Sequence, residues 1–150
     1  MKIVVVSDIH RNIETLSIVK NLHPRADLFL DAGDSQLDEI DLLPFLTVKG
    51  NCDFFIKNNF RIIQLNGLKI FITHGNKYLL TDEVLSQIAK NNDCNMIIFG
   101  HTHVPYSNKV NGVYILNPGS ISRGRSSLGN TYAIINFTTY EDLKVEIKKI

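Results

Sequence analysis

Apolar residues gather in six short runs along this chain: Ile3–Val6, Leu28–Leu30, Phe45–Val48, Ile70–Thr73, Met96–Phe99 and Tyr114–Leu116. Several are rich in β-branched residues, and each has the length and composition of a strand. They lack clean alternation, the pattern of strands covered on both faces. Two more strands are predicted near the end. Thr131–Phe137 is β-rich, and Leu143–Ile147 alternates apolar with charged residues. Arg61–Leu65 and Val104–Val110 read as further strands pairing with their neighbours, and Asn111-Gly112 marks a hairpin turn.

Helical periodicity appears twice. Asn12 can cap a helix carrying Ile13, Leu16, Val19 and Leu22 on one face, and His23-Pro24 would end it. Thr81 can cap a second, with Asp82 and Glu83 in the first turn, where the dipole favours them, and Val84, Leu85, Ile88 and Ala89 on its apolar face. A short helical turn is predicted at Asp38–Leu43, stopped by Pro44. Strands alternating with helices, then a β-rich C-terminal half, place the chain in the α/β class.

A length of 150 residues suggests one domain over 1–150. Such a chain can bury a core without a disulfide or a metal. The formal charge of +1 makes no broad electrostatic case for nucleic acid or an anionic membrane. Cys52 and Cys94 show no metal or redox spacing and read as free thiols of a reducing compartment. The opening apolar run is too short for a secretory signal, and no stretch approaches the roughly 18 apolar residues of a membrane span. The expected location is the cytoplasm, with no membrane partner.

Chemistry enters at the ends of the runs. Val6 leads into Ser7-Asp8-Ile9-His10, Leu30 into Asp31-Ala32-Gly33-Asp34, and Val48 into Lys49-Gly50-Asn51-Cys52-Asp53. Ile72 leads into Thr73-His74-Gly75-Asn76, Phe99 into Gly100-His101-Thr102-His103, and Leu116 into Asn117-Pro118-Gly119-Ser120. Ligands of open α/β sheets bind outside the carboxyl ends of the strands, so these clusters are expected on one rim. Four of the five histidines fall there, together with Asp8, Asp34 and Asn51; His23 follows a helix and is assigned no role. Mixed imidazole and carboxylate donors suit Mn, Fe, Zn or Ni, and such a set exceeds what one tetrahedral zinc needs.

The ordered set Asp8-x-His10, Gly33-Asp34, Gly50-Asn51, His74-Gly75 and Gly100-His101-x-His103 resembles the calcineurin-like metallophosphoesterase superfamily. The small size, the Ser7-Asp8-x-His10 start and the Asn117-Pro118-Gly119-Ser120 run resemble its compact single-domain branch of YfcE-type phosphodiesterases. The resemblance runs from Lys2 to about Ile135. It implies a four-layer αββα sandwich of two mixed β-sheets flanked by helices. It implies a metal-dependent phosphoesterase, in particular a phosphodiesterase acting on a small phosphodiester, with a phosphomonoesterase as the nearest alternative. Its centre would be dinuclear, with a metal-bridging hydroxide as the in-line nucleophile. Asp8, His10, Asp34 and His103 would hold one divalent ion. Asn51, His74 and His101 would hold the other, with Asp34 bridging. Manganese is the expected metal, with Ni, Zn or Fe as alternatives. A homodimer is kept open, since small relatives often form dimers.

One position departs from the family pattern. Many members carry histidine after the Gly-Asn, where it helps protonate the leaving group; here Cys52 stands there. Arg11, Arg123 and Arg125 are candidate phosphate-binding groups, Arg11 foremost because it follows His10, and Asn12 is a candidate for substrate as well as for the helix cap. Asp31 and Asp53 could orient ligand histidines. A different class is represented by the retromer scaffold subunit, which has the same small fold and binds protein partners. The complete ligand set, His74 included, favours catalysis over that alternative. A zinc hydrolase of the metallo-β-lactamase type needs a His-x-His-x-Asp-His run, which is absent.

Overall fold

Two five-stranded mixed sheets and two helices emerge from these runs in the computed structural model, which describes Met1–Ile150. In chain order the elements are β1 (Lys2–Val6), α1 (Ile13–Leu22), β2 (Leu28–Asp31), β3 (Phe45–Thr47), β4 (Phe60–Leu65), β5 (Leu68–Thr73), α2 (Asp82–Asn91), β6 (Met96–Ile98), β7 (Tyr106–Val110), β8 (Val113–Asn117), β9 (Thr131–Asn136) and β10 (Lys144–Lys149). The first sheet runs β10-β9-β1-β2-β3, with β1, β2 and β3 parallel and β9 antiparallel to both β1 and β10. The second runs β4-β5-β6-β8-β7, with β5, β6 and β8 parallel and the edge strands β4 and β7 antiparallel to their neighbours.

Three apolar layers separate the elements. Ile3, Val5 and Leu30 meet Ile70, Ile72, Met96, Ile98 and Leu116 between the sheets. Val4, Val6 and Phe29 turn the other way, against Leu16 and Val19 of α1. Phe71, Ile97 and Ile115 pack on Leu85 and Ala89 of α2. The central strands β1, β2, β5, β6, β8 and β9 are therefore buried on both faces, which is why their sequence shows no polar alternation, whereas the edge strand β10 alternates. Removal of each such side chain from water contributes about 1.5–3 kcal/mol. The layering is the expected αββα sandwich.

Both predicted helix caps form: Asn12 Oδ1 accepts from Thr15 N–H at 3.1 Å, and Thr81 Oγ1 from Val84 N–H at 3.3 Å. Helix α1 is narrower in its contact than its pattern suggested. Leu16 and Val19 are buried, but Ile13 and Leu22 are 45% and 59% exposed, because only the central turn of this ten-residue helix meets the sheet. Asp38–Leu43 forms successive turns rather than a helix. Its bonds are of the i→i+3 kind (Asp41 N–H to Asp38 O, 3.0 Å; Leu42 N–H to Glu39 O, 3.2 Å), and Leu42 is the buried anchor. A short 3-10 turn at Tyr140–Asp142, not anticipated from the pattern, leads into β10. His23 is a core residue whose Nε2 lies 2.9 Å from the hydroxyl of Tyr132.

Strand register positions the site. Val6 pairs with Asp31 and Asp31 with Thr47, so β1, β2 and β3 end level. Ile72 pairs with Ile98 and Ile98 with Leu116, so β5, β6 and β8 do the same. The six clusters therefore leave the two sheets along one rim, as expected of parallel strands.

Candidate metal centre

The backbone at this rim turns sharply. Asp8, His10, Asp34, His101 and His103 have φ values of 54°, 45°, 57°, 68° and 61°. Left-handed conformations cost non-glycine residues about 1–3 kcal/mol each and persist only where the surroundings hold them. The holding contacts are backbone bonds across the rim: Asp8 N–H to Gly33 O at 2.9 Å, His10 N–H to Asp34 O at 3.0 Å, and Gly100 N–H to His74 O at 3.0 Å. Two glycines are required by space. A Cβ on Gly50 would stand 2.7 Å from Asp34 Cγ, and one on Gly100 would stand 2.9 Å from Asp8 Oδ2.

Three histidines share one orientation. Nδ1 of His74 lies 2.8 Å from Ala32 O, Nδ1 of His103 lies 2.9 Å from Arg123 O, and Nδ1 of His10 lies 2.8 Å from Gln36 Oε1. A carbonyl oxygen can only accept, so Nδ1 donates in each ring and the neutral imidazole presents an Nε2 lone pair. Those Nε2 atoms converge. His10 and His103 bring theirs within 3.3 Å of each other, and His103 Nε2 is 3.1 Å from Asp8 Oδ1. His74 Nε2 is 3.3 Å from Asp34 Oδ2 and 3.9 Å from Asp8 Oδ1.

Each carboxylate is tethered by one oxygen. Asp8 Oδ2 accepts from Ser7 Oγ at 2.6 Å and from His101 N–H at 3.1 Å. Asp34 Oδ1 accepts from Cys52 N–H at 2.8 Å. The other oxygen of each faces the histidines. Asp53 braces the loops behind them: Oδ2 accepts from Asp34 N–H and Gly50 N–H, both at 2.8 Å, and Oδ1 from Gln36 N–H at 2.7 Å. Ser120 and Ser122 hydroxyls both donate to Asp8 O, at 2.8 and 3.1 Å. Asn117 Nδ2 donates to Gly100 O at 2.8 Å.

Titration reflects this crowding. Burial would raise the Asp34 carboxyl, but His74 beside it and the Cys52 N–H hold it at about 2. Burial disfavours the His74 imidazolium, yet the Asp34 and Asp8 carboxylates outweigh that and raise its pKa. His101 is lowered by burial and by its neighbour His74. Cys52 is raised by burial and by the Asp34 charge, which keeps the thiol neutral. Asp31, fully buried, is pushed up to about 7 by desolvation, against the hydrogen bond from Thr47.

The expected ligands come together unevenly. Three groups have their donor atoms mutually within 4.8 Å: Asp8, His10 and His103; Asp8, Asp34 and His74; and His10, Asp34 and Cys52. His101 stands beside them, its ring centroid 5.2 Å from that of His74. Asn51 is exposed at the edge, its Nδ2 3.4 Å from Cys52 Sγ. Arg11, Arg123 and Arg125 are exposed and make no ion pair with a carboxylate. Asn12 spends its side-chain oxygen on the helix cap. Asp31 and Asp53 accept from backbone and hydroxyl groups rather than from histidines. The sequence reading missed Ser7, Gln36, Ser120 and Ser122. Only Ser7 and Ser120 lay in the rim clusters, and serine at a turn carries little signal of its own.

These donors fit divalent metal. Asp8 Oδ1 and His74 Nε2 are buried without any hydrogen-bond partner, an arrangement that costs about 1–3 kcal/mol per group unless something satisfies it. Two imidazole lone pairs 3.3 Å apart beside a carboxylate repel, and a cation placed among them reverses the sign.

Comparison with known proteins agrees. Residues 1–140 match the model of the calcineurin-like phosphoesterase superfamily domain. The chain is 32% identical over 143 residues to the probable metallophosphoesterase YsnB of Bacillus subtilis, covering 90% of this chain and 83% of YsnB. It is 27% identical over 100 residues to the phosphodiesterase YfcE of Escherichia coli, covering 61% and 52% of the two chains. Among solved structures, a conserved Streptococcus pneumoniae protein described as a predicted phosphoesterase superposes with a TM-score of 0.88 at 28% identity, covering 99% of this chain and 88% of that one. Vps29 of Entamoeba histolytica, solved in complex with zinc, gives 0.75 at 22% identity, covering 99% and 98%. The last likeness is one of fold.

Proposed function

We propose that this chain, which belongs to the calcineurin-like phosphoesterase superfamily, is a hydrolase of small phosphodiesters with a dinuclear metal centre. The observation that carries the reading is the pair of groups sharing buried Asp8, one with half-buried His10 and buried His103, the other with buried Asp34 and His74. In this reading Asp8, His10, Asp34 and His103 would hold one ion, and Asn51, His74 and His101 would hold the second. Asp34 would serve both, a role supported by its proximity both to His10 and to His74. The nitrogen and oxygen donors suit manganese, with nickel, zinc and iron next. Two such ions, when bound, supply Lewis acidity toward phosphoryl oxygens and an activated water.

The chain's own groups do the rest. The carbonyl partners at Ala32, Gln36 and Arg123 fix the three histidines with Nε2 inward before any substrate arrives. Ser7 and Cys52 N–H fix which carboxylate oxygen faces the site. Arg11, following His10 and free of a carboxylate partner, is the proposed contact for a phosphoryl oxygen. Cys52 beside Asp34 and His10 is a weak proton donor, so the reading favours alcohols that leave as stable anions. The free thiols of Cys52 and Cys94 accord with a cytoplasmic location.

Hydrolysis of bis-p-nitrophenyl phosphate tests this, with metal-stripped protein resupplied with Mn, Ni, Zn or Mg beside an Asp34→Asn variant. Metal-restored turnover that vanishes in the variant is expected. A scaffold that binds protein partners is the second reading, favoured by Phe54 and Phe55, which stand 83% and 74% exposed directly after Asp53. Folded protein without turnover under any metal would transfer the weight to it.

A further inference from the structure

Beside the metal centre lies a cavity of about 310 Å³, lined by Lys49, Gly50, Asn51, Lys57, Asn59, Asn76 and Lys77. It has no apolar lining residue and no carboxylate. None of its three lysines pairs with an acid; the lysine and arginine ion pairs of the molecule are Arg61–Glu39 and Lys148–Glu146, both elsewhere. With 16 basic and 15 acidic residues in the chain, three uncompensated ammonium groups around one cleft are a local excess that the net charge conceals. Lys77 Nζ is steadied by Asn59 Oδ1 at 3.2 Å, and the walls are held by Lys49 N–H to Asn58 O at 2.7 Å and Tyr78 N–H to Gly75 O at 3.1 Å. Three asparagines add amide donors. Ammonium and amide donors with no competing acceptor charge are the chemistry of an anion site, above all of phosphate.

The cleft is continuous with the metal centre through Gly50 and Asn51, and Asn76 and Lys77 follow His74-Gly75 directly. We infer that Lys49, Lys57 and Lys77 form a subsite for a second phosphate, so that the substrate class is a phosphodiester carrying another phosphate beside the one cleaved. This rests on the phosphodiesterase reading, because the two sites share Asn51. Positive charge is concentrated where the second phosphate would sit, and a diester with a single phosphate, carrying one negative charge, gains nothing there.

The test is calorimetric binding of thymidine 3′,5′-bisphosphate, thymidine 3′-phosphate and thymidine 5′-phosphate to the full chain supplied with manganese. Each exposed lysine contact contributes modestly, and together they are expected to make the bisphosphate bind about tenfold more tightly than either monophosphate. Lys57→Gln and Lys77→Gln each shrink that ratio, and the triple glutamine variant brings it close to one. The single variants alter exposed side chains, so the ratio is read in folded protein even if the triple variant fails to fold. A wild-type ratio within about twofold of one, or a large ratio that survives the lysine substitutions, overturns the inference. Bis-p-nitrophenyl phosphate, which has no second phosphate, separates the two levels. Its hydrolysis together with a flat binding ratio sinks only the subsite. A lysine-dependent ratio without any hydrolysis leaves an anion-binding cleft but overturns the phosphodiesterase reading and, with it, the substrate class.

Discussion

Gly50→Ala adds one methyl group and removes no ligand, yet it should disable the metal centre. The new Cβ would stand 2.5 Å from Asp34 N and 2.7 Å from Asp34 Cγ, and closer still to Oδ1. Ordinary contact begins near 3.4 Å, so the Asp34 carboxyl must retreat by more than about 0.7 Å, the shortfall at Cγ alone, in an interior that relaxes only partly. It cannot retreat freely: Cys52 N–H holds Oδ1, and Asp53 holds both Asp34 N–H and Gly50 N–H. Metal–carboxylate bonds of about 2.0–2.2 Å tolerate errors of only a few tenths of an ångström. Loss of supporting geometry typically costs about 10–100-fold in metal affinity, and misplacement near 1 Å about a hundredfold in rate. The overpacking itself costs about 1–3 kcal/mol of stability. The measurements are metal content after gel filtration, bis-p-nitrophenyl phosphate turnover and thermal unfolding. Gly67→Ala is the control. Its φ of +82° gives alanine a backbone penalty that Gly50 does not carry, but its Cβ would meet nothing within 4 Å, so it tests loss of stability without intrusion on Asp34. The expected result is a loss of metal and of about two orders of magnitude in turnover for Gly50→Ala, with both retained in Gly67→Ala. Gly50→Ala protein that keeps its metal and turns over within about twofold of wild type would refute the placement of Asp34 at the centre.

Cys52→His should narrow the gap between nitrophenolate and alkoxide leaving groups, because it replaces a thiol held neutral by burial and Asp34 with a group that titrates near pH 6.5; equal leaving-group dependence in Cys52→His, Cys52→Ala and wild type would reduce Cys52 to a space-filler. The folded pKa of Asp31, about 7, lies above its unfolded value of about 3.9. The stability it contributes is therefore complete below about pH 4 and lost as pH rises through 7, an effect of a few kcal/mol. Unfolding of metal-free Asp31→Asn should be flatter across that window than wild type, and an identical slope would contradict the assignment. Asn12→Ala should cost about 1 kcal/mol of stability through the lost α1 cap; unchanged stability with a raised KM would instead return Asn12 to the substrate.

The parts of this molecule that were legible in its sequence are those whose signal resides in side chains. Val4 and Val6 facing α1, with Ile3 and Val5 facing the other sheet, leave a continuous apolar run that reads as a strand covered on both sides. His10, His74 and His103 could be assigned to one rim because each follows such a run within a few residues. What orients them was not legible. The partners of His74 and His103 are the main-chain carbonyls of Ala32 and Arg123, and any residue type supplies a carbonyl. The role of Asp53 was equally hidden, since its acceptor oxygens serve the N–H groups of three residues brought together only by the folded loops. Both ends of helix α1 were legible, from Asn12 and His23-Pro24, but its buried length was not: periodicity identifies the apolar side of a helix but not how much of it meets the sheet, and Ile13 and Leu22 lie beyond the contact. Asp38–Leu43 has too few residues before Pro44 to establish i→i+4 bonding, so tertiary anchoring of Leu42 decided its shape.

Anomalous diffraction from crystals of the manganese-loaded chain would test the central claim most directly. Two peaks about 3.5–4 Å apart are expected, one against Asp8, His10 and His103, the other against Asn51, His74 and His101, with Asp34 touching both. A single peak, or a pair that leaves Asp34 without contact, would contradict it.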